Sequence, residues 1–448
     1  MSDFKPDFAL QLHLAADALA AATGGSTPDR RASRNVKVSG DSVGGYTGFM
    51  PLDVPAVQDA LRAEGLDGWL LYDFHGSNPI AARLANTLGE GQMTTRRWFY
   101  LIPASGEPRA LVHAIERHNL DRLPGRKTVY AGREQLEAGL AELMGGLRQV
   151  AMEYSPNCEI PYISRVDAGT LELVRGRGVD VRSSGDLVQR FEACWNAEAL
   201  ASHRKAAEAL YRIKDRAFEA IGRRVRDKVS TREYDIQQLM AGWFREAGLM
   251  SDSDPVVAAQ GNAGNPHYMP TAERSRNIGD EELVLLDLWG KLKQPGAVYA
   301  DITWVCFTGS RVPDEVARAF SAVRAARDRA VELVRQAARE RRELRGWQVD
   351  RAAREVLQHA GYGDHILHRT GHSLGTEVHG NGVHMDDFES HDDRRLLPGS
   401  GFTVEPGLYF ETFGVRSEVN VFLGDREAEV TGPVQAEIIA LGSSQVRT

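Results

Sequence analysis

"ELVLLDLWG" (282–290) and "VYADITWVCFTG" (298–309) are two strand-length runs of branched and aromatic residues, and each carries one carboxylate, Asp287 and Asp301. An isolated ionised carboxylate inside such a run costs several kcal/mol, so each must be protonated, paired or bound to a cation. Fourteen residues separate the two, enough for both arms of a hairpin and the turn "GKLKQPG" (290–296). The two carboxylates are therefore expected to face each other across an antiparallel ladder. The same construction recurs downstream, with Glu405 in "GFTVEPGLYF" (401–410) and Glu418 in "GVRSEVNVFLG" (414–424). Four carboxylates gathered in one core would repel one another and drive at least one pKa upward. Divalent cations resolve that conflict.

A nitrogen donor is available in "GHSLGTEVHG" (371–380), where His372 and His379 stand seven residues apart among glycines and small residues. With His372 the set becomes four carboxylates and one imidazole, sufficient for two cations if two carboxylates bridge. Manganese, cobalt, zinc and iron all suit such a set. A pair of this kind holds a hydroxide and polarises a carbonyl oxygen at once.

Amphipathic helices surround these strands. In "RKAAEALYRIKDRAFEAI" (204–221), Ala206, Leu210, Ile213, Ala217 and Ile221 mark one buried face. "STREYDIQQLMAGWF" (230–244) predicts a helix capped by a Ser230–Glu233 box. A third helix is expected from Asp314, behind Pro313, and a fourth over "VDRAAREVLQHAG" (349–361). Antiparallel strands with helices packed against them predict an α+β domain over 191–448. Upstream, helix and strand alternate ("VPAVQDALRAEG", "DGWLLYD", "RWFYLIP", "PRALVHA", "LEAGLAELMGGL", "QVAMEY"), which predicts an α/β domain over 51–190. Residues 1–50 read as an extension, with a short helix over 8–23 and a linker rich in glycine, serine and charge after it.

Composition narrows the function. With 54 basic against 62 acidic residues the formal charge is −8, which argues against nucleic acid as a partner. No apolar run reaches the ~18 residues of a membrane span, so no membrane partner is expected. The three cysteines, Cys158, Cys194 and Cys306, are widely spaced and predict a reduced, cytoplasmic protein, with Cys306 as a small buried hydrophobe.

The words "GNPHYMP" (264–270), "LLDLWG", "YADIT", "GHSLGTEVHG", "TVEPGLY" and "GVRSE", in this order, resemble the pita-bread metallopeptidases: methionine aminopeptidase, aminopeptidase P and prolidase. An α/β domain in front points to the prolidase and aminopeptidase P subgroup. The resemblance implies that Asp287 binds one metal, His372 and Glu405 the other, and that Asp301 and Glu418 bridge both. It implies that Glu405 also shuttles the proton, that Thr303 supports the bridge, and that His267 and His379 contact the scissile amide and substrate backbone. Arg416 matches an arginine that faces substrate carboxylate or backbone groups. The activity implied is hydrolysis of Xaa-Pro bonds in dipeptides or at peptide N-termini by a metal-bridging hydroxide, in a homodimer acting on small peptides. Four features depart from the pattern: a longer hairpin tip between the aspartates, Trp304, Gly380, and an elaborate loop over 380–396 that includes His384. All four are expected to border the pocket. They keep open a carboxypeptidase-like or lyase reaction at the same metals, or a non-catalytic binding module on this fold.

Overall fold

The structure, a computed structural model, describes residues 52–87 and 94–442. The extension expected over 1–50, with its helix and linker, lies outside the described residues. The first half builds one six-stranded sheet from β1 (Gly68–Asp73), β2 (Trp98–Pro103), β3 (Arg109–His113), β4 (Arg126–Tyr130), β5 (Gln149–Met152) and β6 (Asp180–Ser183), in the order β4-β3-β2-β1-β5-β6. The central strands alternate between two cores. Trp69, Leu71, Trp98 and Tyr100 enter one, and Leu70, Tyr72, Phe99 and Leu101 enter the other. Both faces are thus covered by helix or loop, which is why β1 and β2 read as unbroken apolar runs. β4 and β6 carry no such signal, because these edge strands are charged and mostly exposed.

The second half is organised around a hairpin of β9 (Leu283–Leu292) and β10 (Ala300–Phe307), flanked by β7 (Leu249–Met250), β8 (Val256–Ala259) and β16 (Ile439–Ala440). Side chains alternate across this sheet. One face is apolar from end to end: Val284, Leu286, Leu288, Ile302, Trp304 and Cys306 pack with residues of the helices Ala197–Arg226 and Glu233–Glu246. The opposite face is apolar only toward one end, where Leu283, Leu285, Val305 and Phe307 join a core shared with the helices Asp314–Glu340 and Gly346–His359. Along the rest of that face stand Asp287, Asp301 and Thr303. Two further ladders complete the layer, β11 (Gly401–Val404) with β14 (Val419–Leu423) and β15 (Ala428–Val430), and β12 (Gly407–Tyr409) with β13 (Gly414–Arg416).

Three expectations change. Asp301 pairs with Trp289 and Asp287 with Thr303, so the aspartates are diagonal neighbours on one face and do not stand directly opposite. The Ser230–Glu233 capping box does not form. Asp235 accepts from the Arg232 backbone N–H at 2.8 Å instead, while Glu233 turns inward to accept from the backbone of Ala259 and Arg276 and from the Tyr268 hydroxyl. Trp304 does not border the pocket that the carboxylates line. Its parity puts it on the all-apolar face, under the Lys214 ammonium at 3.9 Å from the ring centroid. Trp304→Phe should accordingly lower the unfolding free energy by roughly 1–3 kcal/mol for the lost packing and cation–π contact, read from denaturant melts, while metal affinity stays about that of wild type. A loss of metal affinity in calorimetry would contradict this placement.

Candidate metal centre

The two ladders deliver the four carboxylates by different means. Asp287 and Asp301 project from mid-strand on the same face of β9 and β10. Glu405 lies one residue past β11 and Glu418 one residue before β14, next to the terminal Val404–Val419 pair, so they emerge side by side at the end of that ladder. Asn420 ties the ladders together: its side chain accepts from the Asp301 backbone N–H at 2.9 Å and donates to the Asp301 carbonyl. Thr303 adds a second tie by donating to Glu418 Oε2 at 2.7 Å, and the Glu418 backbone N–H donates to the Thr303 carbonyl.

His372 arrives on the irregular 371–380 segment, which runs close along β11. A Cβ on Gly371 would lie 2.1 Å from the Thr403 carbonyl oxygen, so only glycine permits that approach. The His372 backbone N–H donates to Thr403 Oγ1 at 2.9 Å, and its carbonyl accepts from Thr403 N–H at 2.8 Å. With Nδ1 at 3.2 Å from the Ser373 carbonyl, the ring presents Nε2 to Asp301 at 3.6 Å and to Glu405 at 3.4 Å. The longer hairpin tip steadies this segment. Tyr299 N–H donates to the Gly375 carbonyl and Lys291 Nζ to the Thr376 carbonyl.

The electrostatics are those of carboxylates crowded together away from water. Burial, then the neighbouring carboxylates, push Asp301 well above the usual range. Burial and the charges of Glu405 and Asp287 do the same to Glu418. Burial lifts Asp287 against the opposing pull of Arg416, and it raises Glu405 to about 7. His372 is driven well below the ordinary imidazole value by burial, and so is neutral with a lone pair to offer. Among the described residues, Asp301 Oδ1 and Glu418 Oε1 are buried with no hydrogen-bond partner. One donor atom from each of Asp301, His372 and Glu418 falls within 4.8 Å of the others. Buried carboxylate oxygens without donors, beside a neutral imidazole, suit divalent cations.

These groups line a cavity of about 520 Å³ that also holds His267, His379, Arg369 and Arg416. His267 and His379 are exposed toward its opening, and the His379 ring stands 4.3 Å from that of His372. Desolvation by the surrounding walls holds His379 at about 4, as a neutral ring. Arg416 is committed to protein acceptors: Nε donates to Thr303 at 2.9 Å, Nη1 to the Tyr409 hydroxyl at 3.1 Å, and Nη2 pairs with Asp287. Tyr409 in turn meets His368 Nε2 at 2.6 Å.

Asn420, Tyr409, His368, Arg369 and Tyr162 carry no mark in the sequence. The first three act through hydrogen bonds that no spacing announces, and Tyr162 reaches the cavity from the first half of the chain. Gly380 does not line the cavity, and of the 380–396 loop only Glu389 does. That loop's acidic residues are internal braces. Asp386 accepts three successive backbone N–H groups, and Asp392 accepts from His384 N–H and pairs with Arg394. His384 is buried, its ring 4.2 Å from that of Tyr162.

Residues 202–425 match the model of metallopeptidase family M24. The chain belongs to this family. Within it, the chain is 29% identical over 217 residues to an Xaa-Pro dipeptidase of Lactobacillus delbrueckii subsp. lactis, covering 48% of this chain and 53% of that protein. It is 28% identical over 275 residues to the probable dipeptidase PepE of Mycobacterium tuberculosis, covering 60% and 67%. The chain thus spans about half the length of the Lactobacillus relative. Among solved structures, the dipeptidase PepE of Mycobacterium ulcerans superposes with a TM-score of 0.63 at 22% identity, over 87% of this chain and 96% of that one. A prolidase of Thermococcus sibiricus gives 0.58 at 20% identity, over 88% and 100%. The M24 half adopts the pita-bread fold, as the resemblance implied.

The pKa of Glu405 has a testable consequence. It rises from 4.5 unfolded to about 7 folded, so the stability that neutral Glu405 contributes is fully present below pH 4.5 and is lost as pH rises through 7. Across that window the metal-free protein should lose stability relative to Glu405→Gln, which does not titrate, by on the order of 3 kcal/mol. Thermal melts of both metal-free proteins from pH 4.5 to 7.5 check this; a difference that stays constant would contradict the desolvated site.

Proposed function

We propose that this M24 chain is a dinuclear-metal peptidase that hydrolyses Xaa-Pro bonds in dipeptides or at the N-termini of short peptides. The observation that carries the reading is the cluster itself: four desolvated carboxylates and a neutral imidazole, with buried oxygens left without donors. In this reading Asp287 would hold one cation, His372 and Glu405 would hold the other, and Asp301 and Glu418 would serve both. The two cations, when bound, supply Lewis acidity that activates water and polarises the scissile carbonyl. The chain's own residues do the rest. Glu405, at the edge of the cluster, would take the proton from the attacking water and return it to the leaving amine. His267 and His379, at the cavity opening, donate to the substrate backbone and to the tetrahedral oxygen. Thr303 orients Glu418, and Arg416 holds Asp287 in place.

The prolyl preference is supported by the Xaa-Pro dipeptidases among the relatives. The reading extends to a cytoplasmic homodimer, supported by the family resemblance and by three cysteines that form no disulfide. Among the described residues no helix is long and apolar enough to cross a membrane.

Chelator-stripped protein should be inactive on Xaa-Pro dipeptides and Xaa-Pro-Xaa peptides and regain activity with manganese, cobalt or zinc. Matched peptides without proline should be cut at least tenfold less well. Glu418→Gln should reduce kcat by about a thousandfold or more with the fold retained by circular dichroism. Wild-type turnover in that variant, or activity that survives metal removal, would overturn the assignment.

A further inference from the structure

β9 sets Asp287, Trp289 and Lys291 on one face at steps of two. Asp287 belongs to the carboxylate cluster, and Lys291 is engaged by the Thr376 carbonyl at 2.6 Å. Trp289 stands between them, half-buried, and lines the cavity. Its indole N–H donates to Asp252 Oδ1 at 2.6 Å. β7 prepares that contact: it pairs Met250 with Lys291, and the same register carried two residues further brings Asp252 beside Trp289. β8 then pairs Val256 with Asp287, so the stretch after β7 uses two residues more than β9 does and must bulge. Asp252 lies in that bulge, exposed, and lines the cavity.

Only one oxygen of Asp252 is used. Oδ1 takes the indole and, at 3.5 Å, the Ser251 hydroxyl; among the described residues Oδ2 has no hydrogen-bond partner and no cation pairs with the carboxylate. Its charge is felt at His379, so it faces the substrate end of the cavity. On the inner side of Asp252 the wall is apolar, with Val256, Met269 and Val378 lining the cavity along with the indole. An apolar wall that ends in a carboxylate complements an aliphatic stem with a cationic head. A cation that reaches Asp252 past the indole also gains from the ring.

We propose that Trp289 and Asp252 form a side-chain subsite for a lysine or arginine at the Xaa position of the substrate. The assignment rests on the peptidase reading above and deepens it by naming the preferred Xaa. Two points select that side chain. The proline ring carries no charge, so in an Xaa-Pro dipeptide only Xaa can bring a cationic side chain. Distance excludes the free α-ammonium, which sits on the carbon next to the scissile carbonyl and stays beside the cluster. Across the three strands the order is Asp301, Trp289, Asp252, about two strand spacings or roughly 10 Å from first to last. The stem of a lysine or arginine covers that span, lying along the indole with its head at Oδ2.

The test compares Lys-Pro, norleucine-Pro and Glu-Pro on the metal-loaded full chain, reading kcat/KM for the peptides and calorimetric affinity for their non-hydrolysable isosteres. Wild type should favour lysine over the equally long, uncharged norleucine by about tenfold, and glutamate should rank last. The preference should shrink in high salt. Asp252→Asn keeps an acceptor for the indole and should lower the lysine-to-norleucine ratio to about threefold, the share that the ring alone supplies. Asp252→Lys should reverse the order in favour of glutamate. Both variants change an exposed side chain, and their melting profiles check that they fold. Equal values for lysine and norleucine in wild type would overturn the assignment. So would a ratio unchanged in Asp252→Asn, the result expected if the carboxylate served the α-ammonium common to all three peptides. Selective binding of the lysine isostere without cleavage of any peptide would overturn the peptidase reading and leave the subsite standing. Cleavage of all three peptides without selectivity would do the reverse.

Discussion

Mutual repulsion among four carboxylates in a desolvated pocket is the constraint on which the rest of this structure turns. Asp287, Asp301, Glu405 and Glu418 cannot all ionise there unaided, and each is displaced toward its neutral form. Such a group survives in a folded protein only if the surroundings hold its members in place and a positive charge completes it. The surroundings do hold them. Asn420 clamps β10 to β14 at Asp301, Thr303 fixes Glu418, and Arg416 fixes Asp287. The guanidinium groups of Arg416 and Arg369 are too little charge for four carboxylates, and the oxygens left without donors suit divalent cations.

The cost of holding this cluster is spread over the fold. The β9–β10 sheet is apolar over the whole of one face and at one end of the other, so two cores secure the hairpin while its remaining surface is given to chemistry. Glycine at 371 admits the histidine segment against β11, and the extended hairpin tip grips that segment from the far side. The features that depart from the family pattern thus serve as scaffold. Trp304 fills the core behind the sheet, and the acids of the 380–396 loop brace their own turn.

The legibility of the sequence follows the physics of each signal. A carboxylate in a strand-length apolar run is conspicuous because burial without a partner is costly, so the four acids stand out without any geometry. Their shared face depends only on the parity of the register, since a shift by two residues keeps Asp287 and Asp301 on one side and makes them diagonal instead of opposite. Parity also shows why Trp304 is misleading: proximity to Asp301 along the chain puts it on the opposite face. Ser230 and Glu233 match a capping pattern, but Glu233 satisfies several buried donors, a tertiary demand that outweighs a local cap. Arg369 and Tyr162 lie 207 residues apart in sequence and meet only through the packing of the two halves.

The central claim is that the cluster is a two-cation site. Calorimetric titration of chelator-stripped protein with manganese tests it most directly, followed by the same titration of Asp301→Asn, which removes one charge from the cluster. The account predicts two equivalents bound per chain in wild type and loss of at least one, with weaker affinity for the other, in the variant. Binding of fewer than two equivalents at saturation, or unchanged binding in Asp301→Asn, would contradict it.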